Sequence, residues 1–213
     1  MNPFFLGSPR RRLFGIHAAG LSRSGTPRAV VLCQPLGNEY VYAHRSMRQL
    51  ANRLSLAGFH TLRFDYFGTG DSAGEDGECD PAGLQADVVT AIETLKDLAA
   101  TERVTLIGLR AGANVAASAA NGLRNAVDAL VLWDPIGPLD TAALPQRSLL
   151  IVTQQPDTAA PPGRSSMIAT QDPRTPATDV EFLAAPCPWI ESASTTGMIP
   201  VGVIQRIEEW LRQ

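Results

Sequence analysis

Short runs rich in apolar and β-branched residues alternate along this chain with longer stretches whose apolar residues recur at helical spacing. Arg28 to Cys33 (RAVVLC) is continuously apolar after its first residue, as a strand covered on both faces must be. From about Glu39 to Ala57 the residues Met47, Leu50, Leu54 and Ala57 share one helical face, with Asn38 placed to cap the start and Gly58 to stop it. His60 to Tyr66 (HTLRFDY) reads as the next strand. A Gly-, Asp- and Ser-rich loop leads into a helix from about Pro81 to Leu98, with Leu84, Val88, Ile92 and Leu95 on one side. Strands follow over Val104–Gly108, Ala129–Trp133, Leu149–Thr153 and Val180–Leu183, with a helix over Ala111–Leu123 and a last one over about Val201–Leu211. Such alternation restricts the chain to an α/β architecture of three layers: a mostly parallel sheet, joined by right-handed crossovers, with helices on both faces. The pieces Phe4–Leu6 and Arg12–Ala18, separated by Gly-Ser-Pro, read as antiparallel strands at the sheet's edge.

No repeat, charge block or linker divides the 213 residues, so a single domain spanning 1–213 is expected, with the Pro-rich stretch 156–176 as a long loop on it. Eighteen basic against 21 acidic side chains leave a net charge of −3, which argues against a nucleic-acid partner. Cys33, Cys79 and Cys187 are an odd, scattered set that forms neither a disulfide framework nor a cysteine-rich zinc site. No His, Asp or Glu cluster has ligand spacing, so neither metal nor cofactor is expected. The start, MNPFFLGSPRRRLFG, lacks the apolar run of a signal sequence, and no stretch approaches a membrane span. The reading is of a cytoplasmic protein.

At Thr105 to Ala116 a strand runs into GLRAGANVA, small residues surrounding the turn into a helix. Gly108 and Gly112 stand where the outer glycines of a G-x-S-x-G nucleophile elbow stand, and the position between them holds Arg110. Val31 to Tyr40 (VLCQPLGNEY) resembles the strand and loop that supply one oxyanion-hole amide in α/β-hydrolases. Phe64 to Ser72 (FDYFGTGDS) resembles the D-x-x-G-x-G-x-S stretch after their next strand. In order and spacing, over nearly the whole chain, these segments resemble the α/β-hydrolase superfamily. The likeness is closest to serine-aminopeptidase-like hydrolases, including those that accompany exosortase and biosynthetic systems. The resemblance implies the α/β-hydrolase fold, here with its cap domain absent, because Ile136 to Arg147 is too short for a helical lid.

Serine hydrolysis needs a hydroxyl, an imidazole to take its proton and a carboxylate to orient the imidazole. By resemblance the histidine follows the last strand, yet Ala184 to Pro200 contains none, and His17, His44 and His60 all precede residue 61. The triad acid has two candidates, Asp157 after the seventh strand and Asp134 after the sixth. By the same resemblance Leu36 and Ala111 would supply the two oxyanion-hole amides, which need no particular side chain. Arg110 offers a planar donor fork above a helix N-terminus. It reads either as an anion anchor for a ligand or as one half of an internal ion pair with Asp157, Asp134 or Glu39. His44, four residues from Tyr40 on the same helix face, is a candidate relocated base, with a helix-surface role as the plainer reading. Asp65, Gly68, Gly70, Asp71 and Ser72 read as turn-forming. Trp133, Trp189 and Phe67 either line an open shelf or belong to the core.

Two functions stay open on these residues. One is an enzyme of a biosynthetic pathway that acts on an acyl ester or thioester without a serine nucleophile. The other is a pseudo-hydrolase that serves as a binding or scaffold partner. The partner is accordingly a small acyl substrate or a biosynthetic protein, and a homodimer is left open.

Overall fold

The structure is a computed structural model that describes residues 1–21, 25–137, 139, 144–145, 147–154, 178–187, 189 and 198–213. Among the described residues eight strands and four helices follow one another as β1 (Asn2–Ser8), β2 (Arg11–Ala18), β3 (Arg28–Cys33), α1 (Asn38–Leu56), β4 (Phe59–Phe64), α2 (Pro81–Ala99), β5 (Val104–Leu109), α3 (Ala111–Gly122), β6 (Val127–Trp133), β7 (Ser148–Gln154), β8 (Thr178–Ala184) and α4 (Val201–Arg212). They form one sheet in the order β1-β2-β4-β3-β5-β6-β7-β8. β1 pairs with β2, and β2 with β4, antiparallel; every other neighbour is parallel.

The continuous apolar runs are explained by two cores on one sheet. In β3, Ala29, Val31 and Cys33 face the cluster that α2 and α3 cover, while Val30 and Leu32 face the cluster under α1 and α4. All five are at most 3% exposed, so no polar face remains on that strand. The connection between β6 and β7 spans only residues 134–147. No cap stands above the sheet among the described residues, and no described helix is long and apolar enough to cross a membrane.

Three local expectations change. The N-terminal hairpin turns at Pro9–Arg10, not at Gly-Ser-Pro. The Ser8 hydroxyl accepts the Arg11 amide at 3.2 Å and closes the turn one step later. The cap of α1 is Gly37, at φ 59, with no side-chain hydrogen bond, and Asn38 is already helical. β4 ends at Phe64, because the Asp65 carboxylate collects loop donors described below. The Pro-rich stretch 156–176 lies outside the described residues.

Candidate functional site

β5 delivers the chain to a one-residue turn. Every residue from Val104 to Leu109 is buried, Arg110 follows at φ 57, and α3 begins at Ala111. Glycine makes the turn sterically feasible. A Cβ on Gly112 would lie 2.3 Å from the Gln34 carbonyl oxygen and 2.4 Å from that of Cys33, and one on Gly108 would lie 2.4 Å from the Ala113 Cα. The first turn of α3 thus rests directly on the end of β3. The Arg110 amide donates to the Trp133 carbonyl at 2.9 Å, and its own carbonyl accepts from the Ala113 amide at 2.9 Å.

The Arg110 side chain reaches across to α1. Its Nε donates to Glu39 Oε1 at 3.0 Å, its Nη2 lies 3.0 Å from the same oxygen, and its Nη1 donates to the Asp134 carbonyl at 3.2 Å. The two side chains are 21% and 27% exposed, so the pair is half-buried. Glu39 sits in the first turn of α1, where a carboxylate is favoured by the helix's positive end.

Of the two described acids open to Arg110, Glu39 and Asp134, Glu39 is the one that forms the ion pair. Asp134 is not its ionic partner, for a backbone reason. The residue lies at φ 45, its carbonyl is turned to Arg110, and its buried carboxylate accepts the Thr153 amide at 2.9 Å and the Thr153 hydroxyl. Asp157 lies outside the described residues.

The Leu36 amide, in the loop between β3 and α1, donates to no described carbonyl. The Ala111 amide is one of the four that a helix leaves without an internal acceptor. The contact of Gly112 with Gln34 brings the two segments together. Beside them a cavity of about 410 Å³ opens between Leu36, Gly37 and Tyr40 on one wall and Thr69, Ser72 and Asp76 on the other. It has no lid.

His44 stands within 6.1 Å of the Tyr40 ring, centroid to centroid, and no described hydrogen bond joins it to Arg110 or Glu39. Burial, and then the neighbouring Arg63 guanidinium, hold its imidazole below the ordinary value. His17 and His60 pair with one another at 3.4 Å, towards the far end of the sheet.

The Asp65 carboxylate accepts from Gln34 Nε2 at 3.0 Å, the Tyr40 hydroxyl at 2.9 Å and the Asp71 amide at 3.1 Å. Ser72 donates to the Asp65 carbonyl at 2.6 Å and accepts the Phe14 amide at 2.8 Å. Desolvation and the Asp65 charge push the Tyr40 phenol above its ordinary value. Arg63 is among the buried charges that escaped the sequence reading, as is Asp87 at 0% exposure. Arg63 is 4% exposed on β4, its Nε has no hydrogen-bond partner, and burial lowers its guanidinium while Asp65 pulls the other way. A basic residue inside the apolar run HTLRFDY was the available signal. The shelf reading of Trp189 is corrected too: Trp133 and Trp189 are 0% and 3% exposed and meet edge to face at 5.6 Å in the core. Phe67 is half-buried, with the Arg11 guanidinium 4.5 Å above its ring. Among the described residues no three His, Cys, Asp or Glu side chains gather as a metal-binding group.

No curated protein matches the sequence. Solved structures do match the fold. A lidless α/β serine hydrolase from Xanthomonas campestris is 18% identical with a TM-score of 0.76, over 99% of this chain and 93% of that one. An esterase from Pyrococcus furiosus is 17% identical with a TM-score of 0.73, over 99% and 91%. A Butyrivibrio proteoclasticus protein solved with ferulic acid bound is 10% identical with a TM-score of 0.72, over 98% of each chain. The family model for serine aminopeptidases, S33, matches residues 25–177, more than half of the sequence. With the sheet order and the turn at Arg110 already pointing to an α/β-hydrolase, the chain belongs to the serine aminopeptidase S33 family of that superfamily.

Proposed function

We propose that this protein binds an acyl ester or thioester metabolite at the open shelf above β3 and β5 and does not hydrolyse it through a serine nucleophile. The observation that carries the reading is Arg110. A guanidinium occupies the one-residue turn, tied to Glu39 and to the Asp134 carbonyl. No histidine follows residue 60 to serve as a base after the last strand. The Leu36 and Ala111 amides remain suited to a carbonyl oxygen, since backbone donors do not depend on side chains. With those parts, elimination, cyclisation or isomerisation within a biosynthetic pathway is better served than hydrolysis. Fold alone does not decide between these, and the lidless hydrolase and esterase neighbours speak only to ancestry.

A non-catalytic role as a binding or scaffold partner is the second reading. It is favoured by the Arg110–Glu39 pair, which neutralises a cation that would otherwise be free to hold a ligand anion.

The test uses a fluorophosphonate probe together with a panel of acyl-N-acetylcysteamine thioesters followed by thermal shift and by mass spectrometry. No covalent labelling is expected. A thioester that raises the melting point of the wild type, and not of Gly37→Val, supports binding at the shelf, and a changed product mass identifies the enzyme reading. Stoichiometric labelling of a serine would overturn the proposal. Arg110→Ser alone is expected to remain a poor esterase, because a serine without a base is a weak nucleophile at neutral pH. Hydrolysis of p-nitrophenyl esters by that variant at ordinary enzymatic rates would place a base within its reach.

A further inference from the structure

At the opposite end of the sheet, where β3, β5 and β6 begin, lies a second cavity of about 440 Å³. Arg28, Arg103 and Arg147 line it, together with Glu102, Asp128 and Thr105. No described carboxylate lies within ion-pair distance of any of the three arginines. Two of them are nevertheless fixed in place. The Arg28 guanidinium lies 4.0 Å above the centre of the Phe59 ring. The Arg147 guanidinium lies 4.5 Å above the Trp210 ring and donates from Nη2 to the Trp210 carbonyl at 2.6 Å. Stacking holds the plane of a guanidinium while leaving its edge donors free, so less rotamer freedom is lost when a ligand arrives.

Three guanidiniums line one concavity whose own two acids, Glu102 and Asp128, offset part of their charge, and a cleft with low-dielectric walls focuses what remains. The two acids differ in availability. Asp128 already accepts from the Thr105 hydroxyl at 3.1 Å, whereas Glu102 is exposed and makes no described bond. The carbonyl ends of α2 and α4 lie at the same end of the sheet and oppose an anion, and Arg147 offsets part of this by its bond to Trp210. Three guanidiniums against two carboxylates leave the lining one formal positive charge in excess, which the two helix ends reduce. The selection of a phosphate over a monocarboxylate therefore rests on donor geometry: three planar forks offer more donors than one carboxylate can accept. The volume lies within the range of small-metabolite pockets and exceeds the needs of a bare oxyanion.

From this geometry we infer that the cavity is a binding site for a small hydroxylated phosphate monoester. The phosphate engages Arg28, Arg103 and Arg147, and a ligand hydroxyl donates to Glu102. The site is separate from the shelf at Arg110, and the inference does not depend on what the shelf does.

The experiment is calorimetric titration of the whole protein with glucose 6-phosphate, inorganic phosphate and glucose at low salt. Glucose 6-phosphate is expected to bind, glucose is not, and added sodium chloride should weaken the binding. Arg103→Gln should reduce the affinity about tenfold, the scale of one charged contact at about 1.4 kcal/mol. Because Arg103 is exposed and pairs with nothing described, that variant keeps its fold. Glu102→Gln should narrow the gap between glucose 6-phosphate and inorganic phosphate. Arg110→Ala should leave the titration unchanged. Absence of binding, binding indifferent to Arg103→Gln, or binding abolished by Arg110→Ala would each overturn the proposal.

Discussion

The backbone at Arg110 lies at φ 57, where a residue with a Cβ carries about 1–3 kcal/mol of strain. Arg110→Ala removes the ion pair and keeps that strain; Arg110→Gly removes both. Glycine costs about 0.5–1 kcal/mol of added unfolded-state freedom, so the glycine variant should be roughly 1 kcal/mol more stable than the alanine variant. Urea melts of the two decide it, and an alanine variant at least as stable would show a relaxed turn. Glu39→Gln leaves the guanidinium half-buried beside the positive end of α3. The expected loss is about 1–2 kcal/mol, between the values for exposed and buried pairs. Cys33 titrates in a different range. Burial pushes its thiol from 9.0 up to about 12, so the native state holds a proton that the unfolded chain releases. The stability from that proton is complete below pH 9.0 and falls as pH rises towards 12, by up to about 1.4 kcal/mol per unit. Urea melts at pH 8.5 and 10.5 should show a smaller decline in Cys33→Ala than in the wild type.

Among the elements, α3 is the one whose seating depends most on missing atoms. Gly112→Ala places a Cβ against two backbone oxygens that cannot move without parting β3 from the loop that follows it. Loss of more than about 3 kcal/mol, or failure to fold, is expected. Gly122, at the exposed end of the same helix, has no neighbour nearer than 3.6 Å to its would-be Cβ. Gly122→Ala should therefore stabilise the protein by about 0.4–1 kcal/mol. Thermal melts of the two variants test opposite signs at positions one helix apart. α2 starts differently from α1: Asp80 accepts the Gly83 amide at 2.7 Å with Pro81 following, whereas Gly37 caps α1 by conformation alone. Asp80→Ala should cost about 1 kcal/mol by circular dichroism melts.

At the scale of the whole molecule, one sheet carries both cores, so neither hydrophobic cluster can open without exposing the other face of the same strands. We expect a single calorimetric transition across residues 1–213. Acid should weaken that transition early. Burial holds His17 and His44 below their ordinary 6.5, with His60 and Arg63 adding to the effect. Each stays neutral in the native state while the unfolded chain takes up a proton. The stability they contribute is present above pH 6.5 and is lost as pH falls through their lowered values. His44→Gln should flatten the fall in melting temperature between pH 6.5 and pH 5, and an unchanged slope would assign the acid sensitivity elsewhere.

The alternation of strand and helix was legible because periods of two and 3.6 residues are local properties, and burial on both faces leaves RAVVLC no other role. Gly108 and Gly112 flanking Arg110 were legible for a similar reason, since a one-residue turn between strand and helix leaves no room for side chains on either side. The partner of Arg110 was not. Glu39 and Asp134 were chemically equivalent candidates, and the choice between these two described acids fell to the sheet order β4-β3-β5-β6. That order brings the first turn of α1 beside the end of β5, 71 residues away, while the backbone at Asp134 sends its carboxylate to Thr153. The same order buries Trp189 against Trp133, buries Arg63 on β4, and gathers Arg28 from the start of β3 with Arg103 and Arg147 from two separate connections around one cavity. A local pattern states which face of an element is apolar. Which elements share that face depends on long-range pairing, and only the tertiary structure decided it.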